Sequence, residues 1–152
     1  MAYFKYNTET AVFFGEHCFE KNINMIKEYG KKAMIVTSVF APGCVNLALQ
    51  EVEALLQREG IEYIVDDQVI ENPPVESVVE FTKVAEQFQP DFLISIGGGS
   101  AMDTAKGVSY LLKHPGFEDP YKVLYAEPGM PLHSLAIKSE GKLPIFAIPT
   151  TA

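Results

Sequence analysis

The sequence predicts a three-layer α/β sandwich built on a mostly parallel sheet. Short continuous apolar runs recur at residues 33–36, 61–65, 92–96 and 145–148. Amphipathic helical stretches fall between them. Continuous runs, unlike alternating ones, describe strands buried on both faces, as in a parallel sheet. At 152 residues and 47% apolar side chains, the chain can fill one core, and its length favours one domain over two.

The elements follow in order. Tyr3 to Tyr6 and Ala11 to Phe14, separated by Asn7-Thr8-Glu9-Thr10, predict an N-terminal β-hairpin. Residues 17–29 set Phe19, Ile23, Ile26 and Tyr29 on one helical stripe, with Gly30 as the stop. The run Ala33 to Val36 is the first core strand. Residues 44–58 place Val45, Ala48, Leu49, Val52, Leu55 and Leu56 on one face, and Gly60 follows. After the strand Ile61 to Val65, a polar loop from Asp66 to Pro74 leads into a helix over 75–88. That helix groups Val75, Val78, Val79, Val84, Ala85 and Phe88, and Pro90 ends it. The strand Phe92 to Ile96 precedes a helix over 101–113 that carries Ala101, Ala105, Val108 and Leu112. Residues 114–144 break the pattern with five prolines, an irregular excursion before the last strand. Alternation at this spacing describes βαβ units with right-handed crossovers.

Charge and cysteine usage exclude several classes. The net charge is −8 and Arg58 is the one arginine, so no broad cationic face exists for a nucleic-acid backbone. No run reaches the length of a membrane span, and the first residues lack a signal-peptide core. Cys18 and Cys44 form no C-x-x-C pair and are expected to be small buried hydrophobes, with a disulfide left open. The expected location is the cytoplasm. His17, His114 and His133 are far apart, so no metal site is expected in this chain. A G-x-S-x-G elbow is also absent.

The sharpest local feature is Gly97-Gly98-Gly99-Ser100 between a buried strand and a helix. Backbone without Cβ atoms admits close approach, and a helix N-terminus offers free N–H groups at a positive dipole end. That combination suits a pyrophosphate. A plainer reading stays open. Ser100-x-x-Asp103 matches a capping box, in which case the glycines serve only a tight turn. The pattern is not G-x-G-x-x-G. The segments beginning at Thr37-Ser38 and Asp66-Asp67 also follow strands, where open α/β sheets bind ligands.

The stretch Gly97 to Lys106 reads G-G-G-S-x-x-D-x-A-K. It is joined in order by Phe14-Gly15, Val36-Thr37, Glu71-Asn72-Pro73 and the closing Ile148-Pro149-Thr150-Thr151-Ala152. Through these motifs the whole chain resembles the iron-containing, or group III, alcohol dehydrogenases. The resemblance implies a Rossmann-like NAD(P)-binding domain over residues 1–152, with Fe²⁺ or Zn²⁺ held by a helical domain that this sequence does not include. It implies that Gly97, Gly98, Gly99 and Ser100 contact the pyrophosphate and that Asp103 lies near the nicotinamide. It places Asn72 beside the adenine–ribose side of the cleft and brings Thr150 and Thr151 to the cofactor. No residue here inherits a metal-ligand role, and none a catalytic one. Many NAD-preferring members carry Asp after the Val-Thr pair, where this chain has Ser38. With no Arg or Lys in the residues that follow Ser38, the expectation is acceptance of both cofactors with a lean to NADP(H).

The implied reaction is hydride transfer between nicotinamide and an alcohol or aldehyde, with homo-oligomer formation left open. The chain ends just after a strand, which reads as a domain fragment, and this form alone is expected to lack turnover. Two alternatives stand beside it: a glycerol dehydrogenase or dehydroquinate synthase relative, and a non-catalytic nucleotide-binding module.

Overall fold

The apolar runs become four parallel strands: β1 (Lys32–Val36), β2 (Glu62–Asp66), β3 (Phe92–Gly97) and β4 (Ile145–Pro149). This computed structural model describes residues 10–39, 45–113, 119, 120, 124 and 143–150. The strand order is β2-β1-β3-β4. Lys32 to Val36 pair with Glu62 to Asp66, Ala33 to Val36 with Phe92 to Ser95, and Leu93 to Gly97 with Ile145 to Pro149. The central strands match their continuous apolar sequence: Ala33 to Val36 and Phe92 to Gly97 are buried throughout. β2 and β4 flank the described sheet and are only half buried, so two-sided burial holds for two strands and not four.

The helices are α1 (Cys18–Lys21), α2 (Ile23–Lys27), α3 (Leu47–Arg58), α4 (Val75–Phe88) and α5 (Gly99–Leu112). Side chains alternate along a strand, so each central strand feeds two cores. Ala33, Ile35, Phe92, Ile94 and Ile96 pack with Ile23 and Ile26 of α2 and Val52, Leu55 and Leu56 of α3. Met34, Val36 and Leu93 pack on the other face with Val78, Phe81 and Ala85 of α4 and Ala101, Ala105, Val108 and Leu111 of α5. Helices on both faces of a parallel sheet make the three layers of the doubly wound α/β fold.

Several predicted elements shift, each for a local reason. The helix expected over 17–29 is two short pieces, because Asn22 Nδ2 donates to the Cys18 carbonyl at 2.7 Å and competes with the helical ladder. Tyr29 is 50% exposed, although its ring packs edge-on against Phe146. α3 begins at Leu47, where the Asn46 side chain accepts the Leu49 N–H. Val45 therefore lies outside the helix and exposed. In α4 the buried face is Val75, Val78, Phe81, Thr82 and Ala85, which turns Val84 outward. Cys18 is free and half buried rather than a core residue, and Cys44 lies outside the described residues. Of the predicted hairpin, residues 3–6 lie outside the described residues, while Ala11 to Phe14 are exposed and belong to no strand of the sheet. The excursion over 114–144 lies almost wholly outside them as well.

Gly30 has a sharper role than a helix stop. Its φ is +146°, and a Cβ there would run into the Asp91 side chain. Asp91 Oδ2 accepts the N–H groups of Lys31 at 2.7 Å and Lys32 at 2.9 Å, and so clips the entry to β1. Gly30→Ala should cost about 2–4 kcal/mol through backbone strain and the displaced carboxylate. This clip precedes β1 and lies at the amino ends of the strands. Chemical denaturation should therefore show the loss, while ligand binding well below the melting temperature stays unchanged. A variant as stable as the wild type would rule out the clip.

Candidate cofactor site

A doubly wound sheet binds ligands outside the carboxyl ends of its strands, where the strand order reverses. Here the reversal lies between β1 and β3, with α3 and α5 on opposite faces. The glycine-rich turn leaves β3 at this place. Gly97 has φ +151°, and a Cβ on it would lie 2.9 Å from Ala101 Cβ. Its carbonyl accepts the Thr150 N–H at 3.0 Å, which ties the turn to the end of β4. Gly98 occupies the N-cap position of α5 in an ordinary extended conformation.

The capping-box reading is corrected by where α5 starts. Gly99 is the first helical residue, so Ser100 is the second and Asp103 lies in the second turn, and the N-cap makes no side-chain hydrogen bond. The Ser100 hydroxyl instead accepts the Asn72 N–H at 3.2 Å. Asp103 pairs with Lys106 at 2.8 Å on the helix surface. The first backbone bond into the helix runs from Met102 N–H to the Gly98 carbonyl. Among the described residues, the N–H groups of Gly99, Ser100 and Ala101 meet no acceptor. They are the donors that a helix leaves for a cap or a ligand.

An open groove of about 500 Å³ lies over this helix start, lined by Glu71, Asn72, Pro73, Gly99, Ser100 and Asp103. Asn72 has φ +49° and is held against α5 through Ser100, which brings two segments 28 residues apart to one spot. A Cβ built on Gly99 meets nothing within 4 Å, and its φ needs no glycine. Packing therefore gives no reason for glycine at 99, whereas space for a ligand against bare backbone does.

Ser38 belongs to the other wall. It is half buried and bridges Gln68 in antiparallel fashion, so the chain leaving β1 is pinned to the loop after β2. Asp66 Oδ1 accepts the Gln68 N–H at 3.2 Å, and Gln68 Nε2 donates to Asp67. Burial, together with the charge of Asp67, raises the Asp66 carboxyl above its ordinary range against the opposing effect of the Gln68 bond. Thr151 lies outside the described residues. The structure thus joins Asn72, Gly99, Ser100 and Asp103 in one groove and Gly97 with Thr150, while Ser38 is not among the groove residues. Among the described residues no group of three His, Cys, Asp or Glu is placed to hold a metal ion, and no helix is long and apolar enough to cross a membrane. Sequence reasoning named Thr37 at the turn after β1 without a role of its own and missed Asn46; the two side chains meet at 3.5 Å. The signal available was a Thr directly after a fully apolar strand.

Two glycines of the turn should therefore respond in opposite senses. Gly97→Ala should lose about 1–3 kcal/mol, since it strains a positive φ and crowds Ala101. Gly99→Ala should gain about 0.5–1 kcal/mol, as alanine is the better helix former. Denaturant titrations that gave both variants the same loss would mean that the fold, not a ligand, demands glycine at 99.

The family model for iron-containing alcohol dehydrogenases matches residues 9–152. Alcohol dehydrogenase 4 of Saccharomyces cerevisiae (strain YJM789) is 32% identical over 142 residues, covering 92% of this chain and 34% of that protein. The lactaldehyde reductase of Escherichia coli (strain K12) is 32% identical over 145 residues, covering 95% of this chain and 35% of that protein. A crystal structure of an iron-containing alcohol dehydrogenase from Thermotoga maritima superposes with a TM-score of 0.74 at 32% identity, over 97% of this chain and 38% of that one. This chain spans about a third of the length of these relatives. In sequence and in fold, the chain belongs to the iron-containing alcohol dehydrogenases.

Proposed function

We propose that this chain is the NAD(P)-binding part of an alcohol dehydrogenase that passes hydride between nicotinamide and an alcohol or aldehyde carbon. One observation carries the reading: among the described residues, α5 opens with three N–H groups that meet no acceptor, at a glycine whose missing side chain faces open space. The family implies a nicotinamide dinucleotide, and the donor set and the open cradle at Gly99 fit its pyrophosphate. Gly97, Gly98, Gly99 and Ser100 would hold that group. Asn72, Asp103, Thr150 and Thr151 would complete the contacts along the rest of the cofactor. When bound, the nicotinamide supplies or takes up the hydride. The part of this chain is to bind and orient, with backbone N–H groups meeting the anion where no cation is needed.

The family's metal fits no cluster among the described residues, so no step is routed through it here. By resemblance, its Asp and His ligands come from the part of the relatives that this chain does not span. The substrate class follows that of the relatives, an alcohol dehydrogenase and a lactaldehyde reductase.

Titration of the purified chain with NADH and NADPH, followed by nicotinamide fluorescence, tests the reading. Gly99→Val puts branched bulk into the cradle and should weaken binding by at least about tenfold, roughly 1.4 kcal/mol, with the melting temperature kept. Equal binding by wild type and variant would remove the groove from the cofactor's path.

Cofactor choice is a finer proposal. Serine at 38 leaves the turn without the acid that accepts ribose hydroxyls and repels a 2′-phosphate. The Ser38–Gln68 bridge, however, brings Asp66 and Asp67 to the same end of the sheet, and these acids oppose the lean to NADP(H) expected from the sequence. Acceptance of both cofactors follows. Ser38→Asp should shift selectivity towards NAD(H) by about 1–2 kcal/mol, through like-charge repulsion and a lost phosphate contact. Paired titrations measure it, and unchanged selectivity would place Ser38 away from the 2′ position.

A further inference from the structure

At the end of β1 the chain turns its backbone toward β2. Thr37 N–H donates to the Asp66 carbonyl at 3.0 Å, and the Thr37 carbonyl accepts the Val69 N–H at 3.1 Å. The turn of β3 faces the other way, since the Gly97 carbonyl accepts the Thr150 N–H. Carbonyls of successive strand residues point to opposite edges, so the Ile96 carbonyl faces β1. Val36 and Ser95 are the last pair between β1 and β3, and Ser38 has already crossed to Gln68. The Ile96 carbonyl is thus a buried acceptor that the ladder cannot serve. The Thr37 hydroxyl donates to it at 2.8 Å. The same hydroxyl oxygen lies 3.5 Å from Asn46 Nδ2, while Asn46 Oδ1 caps α3 by accepting the Leu49 N–H at 3.0 Å. Thr37 is 1% exposed, so its bond to the Ile96 carbonyl is made away from water, while Asn46 is half buried.

We propose that Thr37 is a positioning residue for cofactor binding: its hydroxyl fixes the peptide that enters Gly97 and so sets where the donors of Gly99, Ser100 and Ala101 stand across the cleft from β1. Thr37 acts through the Ile96 carbonyl and touches no ligand itself. The proposal rests on the cofactor reading above. Valine at 37 would keep the branched shape but strip the donor, leaving the Ile96 carbonyl unpaired, whereas serine would keep the hydroxyl.

The experiment titrates NADH and NADPH into purified wild type, Thr37→Val, Thr37→Ser, Thr37→Cys and Ser109→Ala, each with a thermal melt. Ser109 is the control. Its buried hydroxyl donates to the Leu143 carbonyl at 2.8 Å, in the last turn of α5, so its loss costs stability without moving the glycine turn. Thr37→Val should bind about tenfold more weakly or worse, and Thr37→Ser should stay within about threefold of wild type. Ser109→Ala should melt lower and bind as wild type does. Should the valine variant not fold, the cysteine variant decides, since its weak thiol donor should give an intermediate affinity. Wild-type affinity in the valine variant, or in the cysteine variant if valine does not fold, overturns the positioning role and leaves the cofactor reading standing. An equal affinity loss in Ser109→Ala does the same. A wild type that binds neither nucleotide overturns both.

Discussion

The parting of β1 and β3 is the constraint on which the ligand-binding end of this molecule depends. Up to Val36 and Ser95 the two strands share a ladder. Beyond that pair the backbone of each turns outward: Thr37 and Ser38 to the β2 side, Gly97 to the β4 side. The parting is forced by the strand order, because the chain leaving β1 winds over one face through α3 and the chain leaving β3 over the other through α5. A cleft opens where backbone groups have lost their ladder partners. The fold fills one of these vacancies itself, with the Thr37 hydroxyl on the Ile96 carbonyl. The N–H groups at the start of α5 have no acceptor among the described residues.

This arrangement explains how an acidic chain can suit an anion. Several cations among the described residues are held in ion pairs: Lys27 with Glu59, Arg58 with Glu20 and Glu59, Lys83 with Glu80 and Lys106 with Asp103 at the groove's edge. These pairs are exposed in whole or part and add little to stability. The groove itself is bordered by the carboxylates of Glu71 and Asp103. No Lys or Arg is among the groove's lining residues, so what this groove offers an anion is the fixed N–H dipoles of the helix start.

Much of the fold was legible because burial and periodicity are local. Residues 75–88 bounded α4 correctly, since Pro73-Pro74 and Pro90 bracket one amphipathic run. β1 and β3 were readable because both their faces are covered, so every buried position is apolar or small. What failed involved polar side chains with competing partners. Asn22 breaks a helix by bonding Cys18, and Ser100, which matched a cap, bonds Asn72 instead. The role of Thr37 was not legible because its partner is a carbonyl 59 residues away, and nothing in the local pattern marks that distance. The glycine turn stood out in the sequence, but its start was placed two residues late because Gly97 and Gly98, not Ser100, form the entry to α5.

Three adjacent glycines look like one motif, yet the backbone asks different things of them. Gly97 answers to the fold: its φ is positive and Ala101 leaves no room for a Cβ. Gly98 sits at φ −84°, a value open to any residue. Gly99 opens a regular helix, where glycine is worse than alanine by about 0.8–1 kcal/mol, and its missing side chain faces open space. Among the described residues such a glycine relieves no contact, which agrees with the proposed approach of a pyrophosphate to the main chain. The groove, the unpaired N–H groups and Asn72 all meet at that same residue. The part of the motif that the described fold does not need is therefore the part on which the proposed cofactor reading rests.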